Sequence, residues 1–216
     1  MKPLRILVAD DHELVRQGLR SIIQREPDWE VCGEATTGRE ALAMALALKP
    51  DVLVLDIGLP EMNGVEVIRQ VRRAMTTAIL VVTMHDADEV VRDAIEAGAN
   101  GYILKAEAGR TIGDAMRAII SRGEFISERV RGVVDSAAGE GRANPRRSKK
   151  SSGLTARERE VLQLLAEGQA NKQVAARLGI TTKTAETHRA RIMAKLKLHS
   201  MNELVRYAIR NRIIEP

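Results

Sequence analysis

The stretch DVLVLD, residues 51–56, places four consecutive apolar residues between two aspartates. A short, continuous apolar run of this kind predicts a strand that is buried on both faces of a parallel sheet. Ligands of such sheets bind outside the carboxyl ends of the strands. Asp56 follows the apolar run directly, so the sequence predicts a carboxylate at that end of a central strand.

Strand and helix patterns alternate on both sides of this stretch. Apolar runs predict strands at residues 4–9, 30–35, 51–56, 77–83 and 101–104. Helical periodicity predicts helices at residues 14–23, 38–49, 64–73, 88–97 and 109–122. Five successive strand–helix units predict an α/β fold, a doubly wound (βα)₅ parallel sheet with helices on both faces.

The composition divides the chain into two halves of opposite charge. The 216 residues carry a net charge of +5, but residues 1–124 hold 15 basic against 20 acidic side chains, and residues 125–216 hold 19 against 9. A basic second half favours a polyanionic partner. The single cysteine, Cys32, excludes a disulfide within the chain. No apolar run is long enough to span a bilayer, and the amino terminus does not resemble a signal peptide, so we expect a cytoplasmic protein.

The second half begins with a stretch that has no periodicity. Gly, Ser, Pro and basic residues dominate residues 136–153, which predicts a flexible linker whose RRSKK cluster either contacts DNA phosphate or is simply solvated. Beyond it, helices are predicted at residues 155–167, 171–178, 183–195 and 201–214. Thr155 and Glu158 have the spacing of a capping box, Asn171 is the expected cap of the second helix, and Thr181 or Thr182 caps the third. Two short helices joined by a turn at Gly179 match a helix-turn-helix unit in a small all-α domain.

Five polar residues fall at the ends of predicted strands. Asp10 and Asp11 follow the first strand, Asp56 the third, Thr83 ends the fourth and Lys105 the fifth. Clustered carboxylates repel one another unless a cation neutralises them, and oxygen-only ligands favour Mg²⁺. A carboxylate nucleophile, a divalent metal, a hydroxyl and an ammonium together indicate phosphoryl transfer.

These residues resemble the receiver domain of two-component response regulators. The resemblance covers residues 1–124 through the motifs VADDH, LVLDIGLPEMNG, VVTMHD and GYILK. It implies that Asp56 is the phosphoacceptor and that Asp10, Asp11, Asp56 and the carbonyl of Gly58 hold Mg²⁺. It further implies that Thr83 and Lys105 contact the phosphoryl oxygens. Tyr102 would be the switch aromatic whose ring position follows Thr83; otherwise it is a partly buried packing residue.

Three positions depart from the receiver pattern. Ala106 follows Lys105 where many receivers have proline, which rules out a cis X-Pro bond there. Gly58 has no side chain to position an attacking water, and His85 stands where some receivers carry an acidic residue. The lifetime of the phosphorylated state is therefore not readable from the sequence.

About 60 residues at the carboxyl end resemble a LuxR-type helix-turn-helix, and the whole chain resembles the NarL/FixJ family. The resemblance rests on LTAREREVLQLLAEG, NKQVAARLGI and KTAETHRARIMAKL. It implies a second helix of the motif that enters the major groove of promoter DNA. Lys183, Thr184 and His188 would contact or position phosphate; Glu186, Thr187 and Ala190 would sit at base-reading positions, and Arg191 lies on the same face. His188 is alternatively a packed structural residue, and the whole face alternatively a solvated surface.

The resulting prediction is a response regulator with a receiver at 1–124, a linker at 125–152 and a DNA-binding domain at 153–216. Its expected partners are a cognate histidine kinase, promoter DNA and, when phosphorylated, a second copy of the chain. An aspartate-nucleophile phosphohydrolase is disfavoured because Gly58 replaces the second acid that such enzymes need. The absence of a P-loop and the scarcity of aromatics weigh against nucleotide hydrolysis and RNA binding. The sequence also leaves open the alternative that the receiver is degenerate and that the protein binds DNA without phosphorylation.

Overall fold

A computed structural model describes residues 2–85, 87–128, 130–132, 154–211 and 213–214. The chain divides into two compact units, Met1–Ala143 and Asn144–Pro216. Each unit has its own hydrophobic core. Most of the predicted linker, residues 133–152, lies outside the described residues, and so does the RRSKK cluster.

The first unit is built on a parallel sheet of five main strands and one short edge strand. The strands are β1 (Leu4–Ala9), β2 (Trp29–Ala35), β3 (Val52–Leu55), β4 (Ala78–Thr83), β5 (Gly101–Leu104) and β6 (Phe125–Ile126). Their order across the sheet is β2-β1-β3-β4-β5-β6, and every pair is parallel. The chain thus winds outward in one direction from β1 to β2 and in the other from β3 to β6. This is the doubly wound arrangement that the alternating sequence pattern predicts.

Helices cover both faces of the sheet because the strands alternate between two apolar cores. The helices are α1 (Glu13–Ile23), α2 (Gly38–Leu48), α3 (Gly64–Ala74), α4 (Asp88–Ala97) and α5 (Lys105–Arg122). Leu53 and Leu55 of β3 pack in the core that α2, α3 and α4 cover. Val52 and Val54 of the same strand pack in the core under α1 and α5. All four residues are buried, which explains why the run 52–55 is apolar throughout.

The register of the sheet brings the predicted site residues to one edge. Ala9 pairs with Leu55, so Asp10 and Asp56 follow neighbouring positions of adjacent strands. The backbone N–H of Asp56 donates to the carbonyl of Ala9 at 2.9 Å. Thr83 pairs with Leu104, which places the hydroxyl and the start of α5 side by side. The switch point between β1 and β3 therefore carries the acidic residues.

Two boundaries of the first unit differ from the sequence prediction. Helix α5 begins at Lys105 and not at residue 109, because the good helix formers in KAEA extend it to the end of β5. Lys105 is thus the first residue of α5 and not the last residue of β5. The sheet also continues past residue 124, since Phe125 and Ile126 pair with Gly101 and Tyr102.

The second unit consists of four described helices around one apolar core. They are α6 (Ala156–Ala166), α7 (Asn171–Leu178), α8 (Thr182–Leu196) and α9 (Met201–Arg210). The capping box of Thr155 and Glu158 forms as predicted, and Thr181 caps α8. Gly179 ends α7 at φ +62°, a left-handed conformation that glycine adopts without steric penalty. This unit confirms the predicted all-helical domain.

Two details of the second unit correct the sequence prediction. Asn171 is the first residue of α7 and not its cap: the position before the helix is Ala170, whose N–H donates to the side chain of Gln173 at 2.8 Å. Helix α9 ends at Arg210, four residues before the predicted end at Ile214. The N–H of Ile213 bonds instead to the carbonyl of Ala208, which turns the chain. No helix in the described part of the chain has the length and hydropathy to cross a membrane.

Candidate functional site

Three carboxylates and one imidazole converge at the carboxyl edge of the sheet. Asp10, Asp11, His12 and Asp56 each offer a ligand atom, and these atoms all lie within 4.8 Å of one another. We call these four residues the acidic pocket. Asp10 and Asp56 are nearly inaccessible, at 1% and 5% exposure, whereas Asp11 and His12 are exposed. The pocket therefore has a buried floor and an open rim.

Lys105 bridges the two buried carboxylates. Its Nζ donates to Oδ2 of Asp56 at 2.5 Å and lies 2.8 Å from Oδ2 of Asp10. The first residue of α5 is thus tied to the ends of β1 and β3. A single ammonium facing three carboxylates leaves an excess of negative charge, which a divalent cation would neutralise.

Burial and charge shift the pKa values in this pocket. Burial raises the pKa of the Asp10 carboxyl above its ordinary value, although Lys105 and the N–H of His12 donate hydrogen bonds to it. For Lys105, burial by itself lowers the pKa. The negative charges of Asp56 and Asp10 outweigh that effect, and the pKa of the ammonium lies above its ordinary value. Lys105 therefore stays charged beside the carboxylates.

The donor set fits a hard divalent cation such as Mg²⁺. All three aspartates supply oxygen ligands, and Oδ1 of Asp56 accepts a bond of 3.2 Å from the N–H of Gly58, which orients that carboxylate. Carboxylates from two strand ends plus water are the ligands that Mg²⁺ takes in proteins. The Gly58 carbonyl as a further ligand stays a prediction.

Thr83 and Tyr102 are joined through the backbone of residue 85. The hydroxyl of Thr83, fully buried at the end of β4, accepts from the N–H of His85 at 3.4 Å. The hydroxyl of Tyr102 donates to the carbonyl of His85 at 2.7 Å, and its ring is completely buried. The two predicted switch residues thus both bond to the backbone of His85, and Tyr102 occupies an inward position.

Sequence reasoning missed two residues beside the pocket. His12 turns its Nδ1 toward Asp11 at 2.8 Å and Asp10 at 3.3 Å. Arg16, on the first turns of α1, donates to the carbonyl of Asp10 at 2.9 Å and lies 3.5 Å from Glu34 on β2. The signal for His12 was its place directly after the acidic pair. Arg16 lies six residues from Asp10, and only the return of α1 over the strand end brings them together.

The predicted DNA-contacting residues share the outer face of α8. All of them except His188 are exposed: Lys183, Thr184, Glu186, Thr187, Ala190 and Arg191. The inner face is formed by Ala185 and Ile192, which are buried in the core. Helix α8 is therefore amphipathic, with a polar and mainly basic surface outside.

The hydroxyls of the two threonines on this face already have partners within the unit, whereas Nδ1 of His188 has none among the described residues. His188 is half-buried, and its Nδ1 is enclosed without a hydrogen-bond partner among the described residues. The Thr187 hydroxyl donates to the carbonyl of Lys183 at 2.9 Å, and the hydroxyls of Thr184 and Thr181 lie 2.9 Å apart. The half-burial of His188 is compatible with both of its predicted roles, a phosphate contact or a packed structural residue, and both stay predictions.

Comparison with known proteins assigns both units. Residues 6–117 match the response regulator receiver domain, and residues 152–208 match the bacterial regulatory proteins of the luxR family. The transcriptional regulatory protein LiaR of Bacillus subtilis is 38% identical over 213 residues, which cover 98% of this chain and 99% of LiaR. A second relative, the response regulator VraR of Staphylococcus aureus, is 35% identical over 213 residues, with the same shares of the two chains covered.

Among solved structures, the response regulator ChrA of a heme-sensing two-component system is similar at 32% identity and a TM-score of 0.52. The match covers 99% of this chain and 100% of ChrA. Both halves of the chain, in the same order, thus match proteins of one signalling family. The chain belongs to the NarL/FixJ family of two-component response regulators, which are phosphoacceptors and DNA-binding transcription regulators rather than enzymes.

Proposed function

We propose that Asp56 accepts a phosphoryl group from a cognate histidine kinase, and that this modification controls the binding of α8 to promoter DNA. The observation that carries the proposal is the position of Asp56. Its carboxylate lies on the buried floor of the acidic pocket, 2.5 Å from the ammonium of Lys105 and next to Asp10 and Asp11. Such a carboxylate is oriented by hydrogen bonds and lies beside an ammonium that can offset developing negative charge.

In the proposed step, a carboxylate oxygen of Asp56 attacks the phosphorus of the phosphorylated kinase histidine. The new P–O bond forms as the P–N bond breaks, and the electron pair leaves with the imidazole nitrogen. Lys105 neutralises charge on the phosphoryl oxygens, which requires its Nζ to move from Asp56 toward them. Asp10, Asp11, Asp56 and the Gly58 carbonyl would hold Mg²⁺, which would supply charge neutralisation at the phosphoryl oxygens.

Thr83 and Tyr102 are proposed to report the modification. A phosphoryl oxygen on Asp56 would recruit the Thr83 hydroxyl, whose present partner is the N–H of His85. Any shift of that segment changes the acceptor that holds the Tyr102 hydroxyl. The ring is thereby coupled to the phosphorylation state through the backbone of one residue, His85.

The exposed face of α8 is proposed to enter the major groove. Lys183, Thr184 and His188 would position phosphate, whereas Glu186, Thr187 and Ala190 would meet base edges, with Arg191 adding charge. Exposure of the basic residues supports this assignment. The proposal also includes the domain bounds predicted from the sequence, with a receiver at 1–124, a linker at 125–152 and a DNA-binding domain at 153–216, except that the receiver sheet extends to Ile126. It further includes dimerisation upon phosphorylation.

Intact-mass measurement tests the assignment of the phosphoacceptor. The full chain is incubated with acetyl phosphate and Mg²⁺, and we expect the mass to rise by one phosphoryl group in the wild type but not in Asp56→Asn. Asp114→Asn serves as the matched control, because Asp114 is an exposed aspartate on α5. Equal labelling of Asp56→Asn and the wild type would refute the assignment.

A further inference from the structure

The side chain of His12 is directed into the acidic pocket and has no role in capping α1. His12 precedes the first residue of α1, the position where a side chain usually bonds to the helix amides, yet it makes no such bond. Its Nδ1 lies instead 2.8 Å from Oδ1 of Asp11 and 3.3 Å from Oδ1 of Asp10. The imidazole thus completes the rim of the pocket on the solvent side.

These separations suit adjacent ligands of one metal ion. Donors at right angles around a divalent ion, with bonds of about 2.1 Å, lie about 3 Å apart. The distances from Nδ1 to the two carboxylate oxygens fall on either side of that value. The loop is also fixed in this shape, because the backbone N–H of His12 donates to Oδ1 of Asp10 at 2.8 Å.

An imidazole changes which metals a carboxylate site prefers. Carboxylates and water suit Mg²⁺, whereas imidazole nitrogen suits the later first-row transition metals, whose affinity for nitrogen and oxygen sites rises from Mn²⁺ toward Cu²⁺. The side chain of His12 is 54% exposed, so its ring can replace the hydrogen bond to Asp11 with a bond to a metal ion without disturbing a hydrophobic core.

We propose that His12 is an additional ligand that makes the acidic pocket a site for divalent transition metals such as Co²⁺ or Zn²⁺, in competition with Mg²⁺. This inference rests on the proposed function, because it uses the same carboxylates. Mg²⁺ is held by oxygen ligands alone, and the imidazole joins only when the ion has an affinity for nitrogen. The alternative is that His12 merely donates a hydrogen bond to Asp11, in which case it cannot discriminate between metals.

The test compares Co²⁺ with Mg²⁺ on the full chain, prepared without a histidine tag. We expect His12→Ala to weaken Co²⁺ binding by about tenfold or more and Mg²⁺ binding by less than about twofold. The control is His199→Ala, which removes an exposed histidine from the second unit and should change neither affinity. In the paramagnetic proton spectrum, Co²⁺ should shift one exchangeable imidazole resonance that is absent from His12→Ala.

The two proposals fail in different ways. If His12→Ala leaves the ratio of Co²⁺ to Mg²⁺ affinity unchanged, or retains the shifted imidazole resonance, His12 is not a ligand. If Asp11→Ala binds both metals as the wild type does, the metal site lies elsewhere and the proposed function loses its cation. Thermal unfolding of each variant shows that the fold is retained, which the exposure of the replaced side chains favours.

Discussion

Gly64 begins α3 against the backbone of Asp56, the proposed phosphoacceptor. A Cβ at this position would lie 2.2 Å from the carbonyl oxygen of Asp56 and 2.8 Å from Cα of Ile57. Both neighbours are main-chain atoms, which cannot rotate away as a side chain does. The N–H of Gly64 also donates to the carbonyl of Ile57 at 2.9 Å, so the loop after β3 is closed on itself. The absence of a side chain at residue 64 therefore sets the position of Asp56.

Gly64→Ala is expected to displace the backbone of Asp56. Overpacking of this kind lowers the free energy of unfolding by about 1–3 kcal/mol, and it should slow phosphorylation by acetyl phosphate as well. Gly18→Ala is the matched control, since a Cβ in the middle of α1 meets nothing within 4 Å. That substitution should raise the free energy of unfolding by about 0.4–1 kcal/mol. Urea unfolding and the rate of mass increase measure both effects, and equal behaviour of the two variants would contradict the prediction.

At the scale of single residues, the sequence predicts those contacts that follow from the position of a residue along a strand. Asp10, Asp56 and Thr83 directly follow or end apolar runs, and parallel strands end at one edge, so their convergence could be predicted. The close approach at Gly64 and the contact of Arg16 with the carbonyl of Asp10 could not be predicted in this way. Each depends on how one segment of the chain packs against another, and no periodic pattern encodes that.

At the scale of elements, Glu158 joins the start of α6 to the end of α8. Its carboxylate, only 3% exposed, accepts from the N–H of Thr155 at 2.7 Å and from Nζ of Lys195 at 2.6 Å. Burial raises the pKa of Glu158, but the hydrogen bonds from Lys195 and Thr155 outweigh it, and the pKa lies below its ordinary value of 4.5. One carboxylate thus serves as helix cap and as interhelical contact.

This pKa shift makes the second unit sensitive to acid. Because the folded pKa is below the unfolded value, the stabilisation is complete above the ordinary value of 4.5 and is lost as the pH falls through the folded pKa. We expect Glu158→Gln to lower the free energy of unfolding at neutral pH by about 1–2 kcal/mol and to reduce its dependence on acid. Amide NMR signals of α6 to α8 during thermal unfolding report the effect.

Glu186→Gln is the control for this pH dependence, since Glu186 is exposed on α8. Its replacement should leave the stability of the second unit within about 0.5 kcal/mol of the wild type. An acid response of Glu158→Gln that matches the wild type would show that another carboxylate controls the transition.

The outer face of α8 predicts a salt-dependent interaction with DNA. Each cation that neutralises a phosphate adds about −0.9 to the slope of log K against log salt concentration. We expect Lys183→Gln and Arg191→Gln each to make the slope less steep by about that amount in the full chain. Arg122→Gln, at an exposed position at the end of α5, should leave it unchanged. If the salt-dependence slope is identical in the wild type and all three variants, the outer face of α8 does not contact DNA phosphate and is only a solvated surface.

Element types were predicted more accurately than element ends. The apolar periodicity of α1 to α9 fixes their existence, because each buries one face in a core. Their ends depend on local capping contacts, which compete with continuation of the helix. Ala170, whose N–H bonds to Gln173, occupies the cap position of α7 in place of Asn171, and the turn at Asn211 ends α9 before Ile214. Helix α5 can start at Lys105 because the next residue is not proline, which would disfavour the helical conformation at Lys105.

At the scale of the whole molecule, the two units carry opposite charge. Residues 1–143 are net acidic and residues 144–216 net basic, with a total of +5. The acidic unit holds the acidic pocket, where phosphorylation is proposed, and the basic unit holds α8. A signal can therefore pass between the units only if a change in the first unit alters how accessible the second unit is to DNA, or how many copies of it are brought together. A change in the number of copies is the simpler route for a small DNA-binding module.

Phosphorylation is expected to favour a dimer on DNA. One recognition helix reads only a few base pairs and buries a modest area, whereas two copies on half-sites one helical turn apart multiply affinity and specificity. The phosphoryl group can drive this only through different interactions with two receiver states, for which Thr83 and Tyr102 supply the moving parts. On α9, Leu204 and Ala208 are buried in their own unit, whereas the half-buried Val205 and Ile209 and the exposed Met201 are apolar residues available to a second copy. Sedimentation and DNA binding are measured together on wild type and Asp56→Asn, each with and without acetyl phosphate. The wild type alone should shift to a dimer and bind DNA more tightly, and an unchanged oligomeric state and affinity would exclude this mechanism while both domain assignments stand.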